Sequence, residues 1–271
     1  MSALRYKEIP PAVLATIVEQ AGLVLKTEVV AGGLNSEIAA RVHTEQESLF
    51  IKGLRTDHPR AWTQAREAGI NPYVRGIAPA LKWRVRDHRW DILAFEDVAG
   101  EHADYRPGSA DLAATLAVML ELHGIAAPDG ADVAEMPQRM RSYVDDADEV
   151  RFFDGDRLLH TDWKPDNVLI SRDGATRLVD WAWPTRGAGW IDPALWAIWL
   201  IAAGYSAGQA EALAAQHPAW QDAPPAGIDA FARAQHRLWG QIAERADGDE
   251  FGARMHRAAT AWSTHRGRPG V

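Results

Sequence analysis

The stretch His160-Thr161-Asp162-Trp163-Lys164-Pro165-Asp166-Asn167, with Asp180-Trp181 beginning thirteen residues after Asn167, constrains this chain more than any other part of it. Two short apolar runs, Val168-Leu169-Ile170 and Leu178-Val179, lie between the acidic clusters and bracket Arg172-Asp173-Gly174-Ala175. An Asp-Gly pair between apolar runs is a hairpin signal, because such turns need a positive φ that glycine adopts freely. A hairpin returns the chain to its starting end. Asp162, Asn167 and Asp180 are therefore expected to converge there.

A lone His-x-Asp would be read as a polar turn with an Asp cap. The Asp-x4-Asn spacing followed by Val179-Asp180-Trp181 is more specific, because it supplies the set of groups that phosphoryl transfer needs. One carboxylate orients and deprotonates an attacking hydroxyl, and an amide oxygen with a second carboxylate holds magnesium on the phosphates. Hard oxygen donors without imidazole or thiolate suit magnesium better than zinc.

The surrounding patterning divides the chain in two. Pro10 and Pro11 precede apolar residues at helical spacing up to Gly22, and short β-rich runs follow at 23–30, 37–43 and 48–54, consistent with an antiparallel meander. Asp57-His58-Pro59 is expected to open a helix that carries Trp62 and Glu67 and ends at Gly69, before two more strands at 81–86 and 90–95. After Gly100 the pattern turns helical, beginning with Leu112, Leu116, Met119, Leu120 and His123 on one face. The expected fold class is α+β, with a small antiparallel-sheet lobe over residues 1–98 and a larger, mainly helical lobe over 99–271.

Composition removes several function classes. The 271 residues include no Cys, which excludes disulfides, thiolate zinc sites, iron–sulfur clusters and cysteine nucleophiles, and fits a cytoplasmic protein. A net charge of −8 without a basic stripe argues against nucleic acid as a partner. The first residues, MSALRYKEIPP, show no signal-peptide pattern, and the longest apolar stretch, Pro193 to Tyr205, is too short to span a bilayer, so no membrane partner is expected. Only five of the 29 basic residues are Lys, so the place of each is informative.

These motifs resemble the aminoglycoside phosphotransferase and choline-kinase-like enzymes, which share a bilobal protein-kinase-like fold. The resemblance implies that Asp162 is the catalytic base, that Asn167 and Asp180 bind Mg2+, and that His160 supports the loop. It also implies that Ala31-Gly32-Gly33-Leu34-Asn35-Ser36 covers the nucleotide, with Gly32, Gly33, Asn35 and Ser36 at the phosphates. Lys52 falls where the family's phosphate-binding lysine stands and Glu67 where its ion-pair partner stands. Phe95-Glu96-Asp97-Val98 occupies the place of the hinge, so the backbone of Glu96 and Val98 is expected at the adenine. Lys164 is either a group that neutralises the transferring phosphoryl or a solvated loop lysine. Thr161 stands where the family usually has Gly. Trp196 stands where the carboxylate four residues after Asp192 would be.

What the resemblance implies for activity is a Mg2+-dependent transfer of the γ-phosphoryl group of ATP or GTP to a hydroxyl of a small molecule, with antibiotics such as aminoglycosides or nucleosides among the candidates. The acidic run Asp145-Asp146-Ala147-Asp148-Glu149 could attract a polycation, whereas the terminal Arg266-Gly267-Arg268-Pro269-Gly270-Val271 lacks the acidic residues that many aminoglycoside kinases use. Acceptor, nucleotide base and oligomeric state stay open at this level. Two other classes remain: a catalytically silent kinase-fold protein, and a serine hydrolase in which Gly204-Tyr205-Ser206-Ala207-Gly208 is a nucleophile elbow. The elbow needs a strand before Ser206, yet Leu195 to Ala203 reads as helix. Ser206 with Gln209 three residues later reads as a capping box.

Overall fold

The computed structural model describes residues 8–30, 36–245 and 249–267. The first helix, α1 (Pro11–Ala21), starts at a proline whose missing N–H would have been unpaired in the first turn, and Gly22 stops it at φ 80°. Val13 and Ile17 on its inner face are fully buried against an antiparallel sheet.

That sheet runs β1 (Val24–Val29), β2 (Ile38–Thr44), β3 (Ser48–Arg55), β5 (Trp90–Glu96), β4 (Leu81–Arg86). Every expected strand of this lobe is present to within one residue at each end. β3 and β5 are central; Trp90–Phe95 is buried throughout and Leu49–Leu54 at every residue but Phe50, which faces the cavity, so neither strand shows the alternation of a one-sided sheet. The helix between β3 and β4, α2, spans Trp62–Ile70, so it starts later than Asp57-His58-Pro59 suggests. Residues 57–61 form turns instead, held by backbone bonds such as His58 N to Arg55 O (3.0 Å). Gly69 lies inside the helix, which ends in a 3-10 turn over Asn71–Tyr73.

Past β5 the chain enters the second lobe. β6 (Gly100–His102) pairs with the hairpin strands β9 (Val168–Ser171) and β10 (Thr176–Leu178) in a three-stranded sheet, and α3 (Asp111–His123) follows β6. A second small sheet joins β7 (Ala134–Glu135), β11 (Thr185–Gly187) and β8 (Arg157–Leu159), with α4 (Met136–Met140) after β7. The remainder is helical: α5 (Ile191–Ala202), α6 (Ala207–Ala214), α7 (Pro218–Gln221), α8 (Pro225–Arg245) and α9 (Glu250–Arg266).

Large rings dominate this lobe's core, with Trp163, Trp196, Trp262, Tyr105, Phe153 and Phe231 all almost wholly buried. Burying an aromatic side chain of this size is worth about 2–3 kcal/mol each, before the cost of ordering it. Trp181, Trp190 and Trp199 also belong to this core, with Trp181 and Trp199 at its edge on the interlobe cavity; Trp183 lines that cavity too and meets Trp62 of α2 edge-on at 4.9 Å. The molecule is thus a bilobal α+β fold.

Candidate active site

The hairpin closes as its sequence predicts, with Gly174 at φ 84° and Ser171 O accepting from Gly174 N at 2.9 Å. Its open end is tied together by Val179 N donating to Asn167 O at 2.9 Å, so the loop before β9 and the segment after β10 lie side by side. His160 locks the two further. Its Nδ1 accepts from Asp162 N at 3.3 Å, which assigns the proton to Nε2, and Nε2 donates to Val179 O at 3.0 Å. Burial, partly offset by the Asp192 charge, holds His160 below the usual histidine range, in keeping with this neutral tautomer.

Asp192, near the start of α5, fixes the same loop from the other side. Its carboxylate accepts from His160 N at 2.9 Å and from Thr161 N at 3.0 Å, satisfying two buried donors that no strand or helix would pair. Thr161 itself sits at φ 65°, where a β-branched residue is strained and a glycine would be at ease. Three bonds hold it there: the Asp192 contact, Thr161 Oγ1 donating to Trp183 O at 3.0 Å, and Arg139 donating to Thr161 Oγ1 at 2.9 Å.

The charged groups meet where the lobes face each other. Lys52 donates to Glu67 Oε2 at 2.7 Å and to Asp180 Oδ1 at 3.0 Å, with only 8% of its surface exposed. Burial disfavours the ammonium, but Asp180 and Glu67 together outweigh that and raise the Lys52 pKa above its ordinary value. Asp162 is pushed up to about 6, mainly by burial and then by the negative charge of Asp180, against the opposing pull of Asn167 and Lys164. Asn167 donates through Nδ2 to Asp162 O at 3.0 Å. Lys164 pairs with Asp166 at 2.5 Å, and its side chain is 41% exposed.

Two carboxylates that repel each other beside an amide are a hard, electron-rich donor set, which fits a divalent cation. Among the described residues no cluster of three His, Asp or Glu could hold a metal by itself.

One cavity of about 780 Å3 gathers these groups. Ser36, Lys52, Glu67, Glu96, Val98, Asp162, Lys164, Asn167 and Asp180 all line it. Gly32, Gly33 and Asn35 fall outside the described residues. Two further groups at the cavity escaped the sequence reading. Arg41 pairs with Asp97 at 3.1 Å and so ties β2 to the segment after β5, and Arg139 bonds Thr161 and also Thr185 Oγ1 (2.5 Å). Nothing in the spacing marked either of them.

No family profile and no curated protein matches this sequence. Solved structures do match. Choline kinase LicA from Streptococcus pneumoniae superposes with a TM-score of 0.66 at 13% identity, over 94% of this chain and 98% of that one. This chain has the choline kinase and aminoglycoside phosphotransferase fold. Aminoglycoside phosphotransferase APH(4)-Ia, in a ternary complex with AMP-PNP and hygromycin B, matches at 0.62 and 14% identity over 92% and 98% of the two chains. The aminoglycoside phosphotransferase of Alicyclobacillus acidocaldarius matches at 0.63 and 12% over 97% and 94%.

Within this kinase-like fold, Ser206 is an exposed helix cap. Ser206 Oγ accepts from Gln209 N at 3.3 Å and Gln209 Oε1 accepts from Ser206 N at 3.0 Å, the reciprocal capping box at the start of α6. The element before it is α5, a helix, so the strand that a nucleophile elbow requires is absent there. The acidic run is partly neutralised from within: Arg233 pairs with Asp145 at 2.7 Å and with Glu149 at 2.6 Å, and Arg237 also bonds Asp145. These contacts fasten the run to α8. No helix among the described residues is long and apolar enough to cross a membrane.

Proposed function

We propose that this protein is a magnesium-dependent O-phosphotransferase that moves the γ-phosphoryl group of ATP or GTP to a hydroxyl of a small molecule. The observation that carries the reading is the convergence of Lys52, Glu67 and Asp180 within 3.0 Å contacts on the cavity that also holds Asp162 and Asn167. Lys52, kept charged and oriented by Glu67, binds the nucleotide's α- and β-phosphates. The backbone of Glu96 and Val98 receives the base, and Ser36 serves the phosphates. Asn167 and Asp180 would hold Mg2+, which when bound neutralises charge on the phosphates.

Asp162 orients the acceptor hydroxyl and takes its proton. Its raised pKa makes it a better proton acceptor than an ordinary aspartate while leaving it ionised near neutral pH. Lys164, beside Asp162 and on the cavity wall, adds positive charge near the transferring group. The nucleotide-binding lobe is residues 1–98 and the catalytic and acceptor-binding lobe 99–271. The cysteine-free composition supports a cytoplasmic setting.

The test is a nucleotide-consumption screen of purified protein, with ATP and GTP, against hydroxylated metabolites and antibiotics. Acceptor-dependent release of nucleoside diphosphate that requires Mg2+ and is lost in Asp162→Asn supports the reading. Nucleotide binding without turnover across the panel would favour a catalytically silent relative.

A further inference from the structure

The cavity has a second, apolar part that the nucleotide-facing residues do not account for. Three helices of the large lobe build it: Ile198 and Trp199 from α5, Leu238, Trp239 and Ile242 from α8, and Phe251 from α9. Leu238 and Ile242 are one helical turn apart and Trp239 is their neighbour, so α8 presents a continuous apolar stripe to the space. Core side chains of this lobe such as Phe231 are sealed, whereas Leu238, Trp239 and Ile242 stay half-buried and Phe251 is 37% exposed. The Trp199 and Trp239 rings stand 5.8 Å and 5.9 Å from the Phe251 ring and form one aromatic wall.

Two arginines stand beside this part, and the carboxylates of the cavity lie on other elements. Among the described residues no carboxylate of α5, α8 or α9 lines the cavity, and Gln235 is the polar side chain they contribute. Arg139 lines it with its guanidinium 5.6 Å from the Trp183 ring, and Arg254 lies over the Phe251 ring at 5.7 Å. A polycation seated against these three helices would lose hydration with no carboxylate from them to replace it, and the Phe251 face is already engaged by a cation.

We infer that the acceptor is an uncharged alcohol with an apolar, ring-bearing body seated against α5, α8 and α9. The inference rests on the phosphotransferase reading and narrows its substrate class. The body fills the apolar compartment and turns its hydroxyl to Asp162. The hydroxyl oxygen bonds to the γ-phosphorus as its proton passes to the Asp162 carboxylate. The bond from that phosphorus to the β–γ bridging oxygen breaks, and the electron pair leaves with the nucleoside diphosphate.

The compartment is tested without turnover by titrating the full chain with N-phenyl-1-naphthylamine, a neutral apolar fluorophore. The expected result is saturable one-to-one binding, competed by 3-phenylpropan-1-ol and not by choline or hygromycin B. Leu238→Asp and Ile242→Gln, each shown by circular dichroism to be folded, should weaken the probe by at least about tenfold, because each places a polar group in the apolar wall. Non-saturable binding, affinity unchanged in both variants, or displacement by choline or hygromycin B overturns the inference. Calorimetric titration with Mg–ATP and Mg–GTP separates the two levels. A protein that binds nucleotide but fails the probe test loses only the apolar acceptor; one that binds the probe but no nucleotide loses the phosphotransferase reading, and the acceptor role with it.

Discussion

Lys52 of the small lobe and Asp180 of the large lobe lie 3.0 Å apart although 128 positions separate them in the chain. Glu67 closes the triad from α2, accepting from Lys52 through Oε2 and from Trp181 N through Oε1 at 3.3 Å. The three residues therefore fasten the lobes as well as line the cavity.

Removing the centre of that triad should cost more than removing its edge. Lys52→Ala leaves the buried Glu67 facing a half-buried Asp180 with no cation between them, and a broken buried pair costs about 3–5 kcal/mol. Nucleotide-dependent turnover should fall by roughly 10²–10³, as for other preorganised charge-stabilising donors. Glu67→Gln keeps an acceptor for Lys52 and should lose less on both counts. Thermal unfolding and nucleotide titration of the two variants check the order, and wild-type turnover in Lys52→Ala would sink the assignment of β3.

Asp162 and Asp180 should separate chemistry from binding. Asp162→Asn should retain Mg–nucleotide affinity while turnover falls by roughly 10²–10⁴, the usual worth of a general base. Asp180→Ala removes both a metal-facing carboxylate and a Lys52 partner, so affinity and turnover should drop together. Calorimetry on both variants decides, and normal nucleotide binding by Asp180→Ala would refute its role.

Thr161 offers a test of strain against hydrogen bonding. At φ 65° a non-glycine residue costs about 1–2 kcal/mol, which Thr161→Gly relieves. The same change forfeits two hydroxyl bonds at about 0.5–1.5 kcal/mol each and adds chain entropy of about 0.5–1 kcal/mol, so the net effect should range from near zero to about 3 kcal/mol destabilising. Thr161→Val loses the same bonds, including the Arg139 contact, but keeps the strain and puts a methyl group where the hydroxyl was bonded, so it should be the more damaging change. Equal melting temperatures for the two variants would contradict this.

His217 should make stability depend on pH. Its Nδ1 caps α7 by accepting from Ala219 N at 3.3 Å, and burial, with the neighbouring His123, pushes it down to about 4. The unfolded histidine titrates near 6.5, so the unfolded chain binds the extra proton first, and the contribution is complete above about pH 6.5 and lost as pH falls toward 4. Asp162, with its raised pKa, acts in the opposite sense over part of the same range, so the variant isolates the term. His217→Asn preserves a capping acceptor without a titrating group. The stability advantage of wild type over His217→Asn should shrink between pH 7 and pH 5; a constant difference would show that His217 titrates normally.

Much of the fold was legible because local signals and tertiary structure agreed. The strands of the small lobe, the helix over Asp111–His123 and the Asp173-Gly174 hairpin each follow from residue spacing and turn chemistry. The helix start after β3 was misread, because Asp57 and Pro59 favour a turn as readily as a helix entry and backbone bonds across 55–61 chose the turn.

By itself the sequence determined which residues carry acceptor and donor chemistry and, through the hairpin, that Asp162, Asn167 and Asp180 share one end of it. Only the tertiary structure decided that Asp192 braces His160 and Thr161, because its bonds go to backbone N–H groups, which have no residue identity to read. The same holds for Arg139, whose partners are two hydroxyls from distant segments. The apolar stripe of α8 looked like any core-facing stripe. Periodicity states which side of a helix avoids water, and only the packing of α5, α8 and α9 shows that this side faces an open cavity instead of another helix.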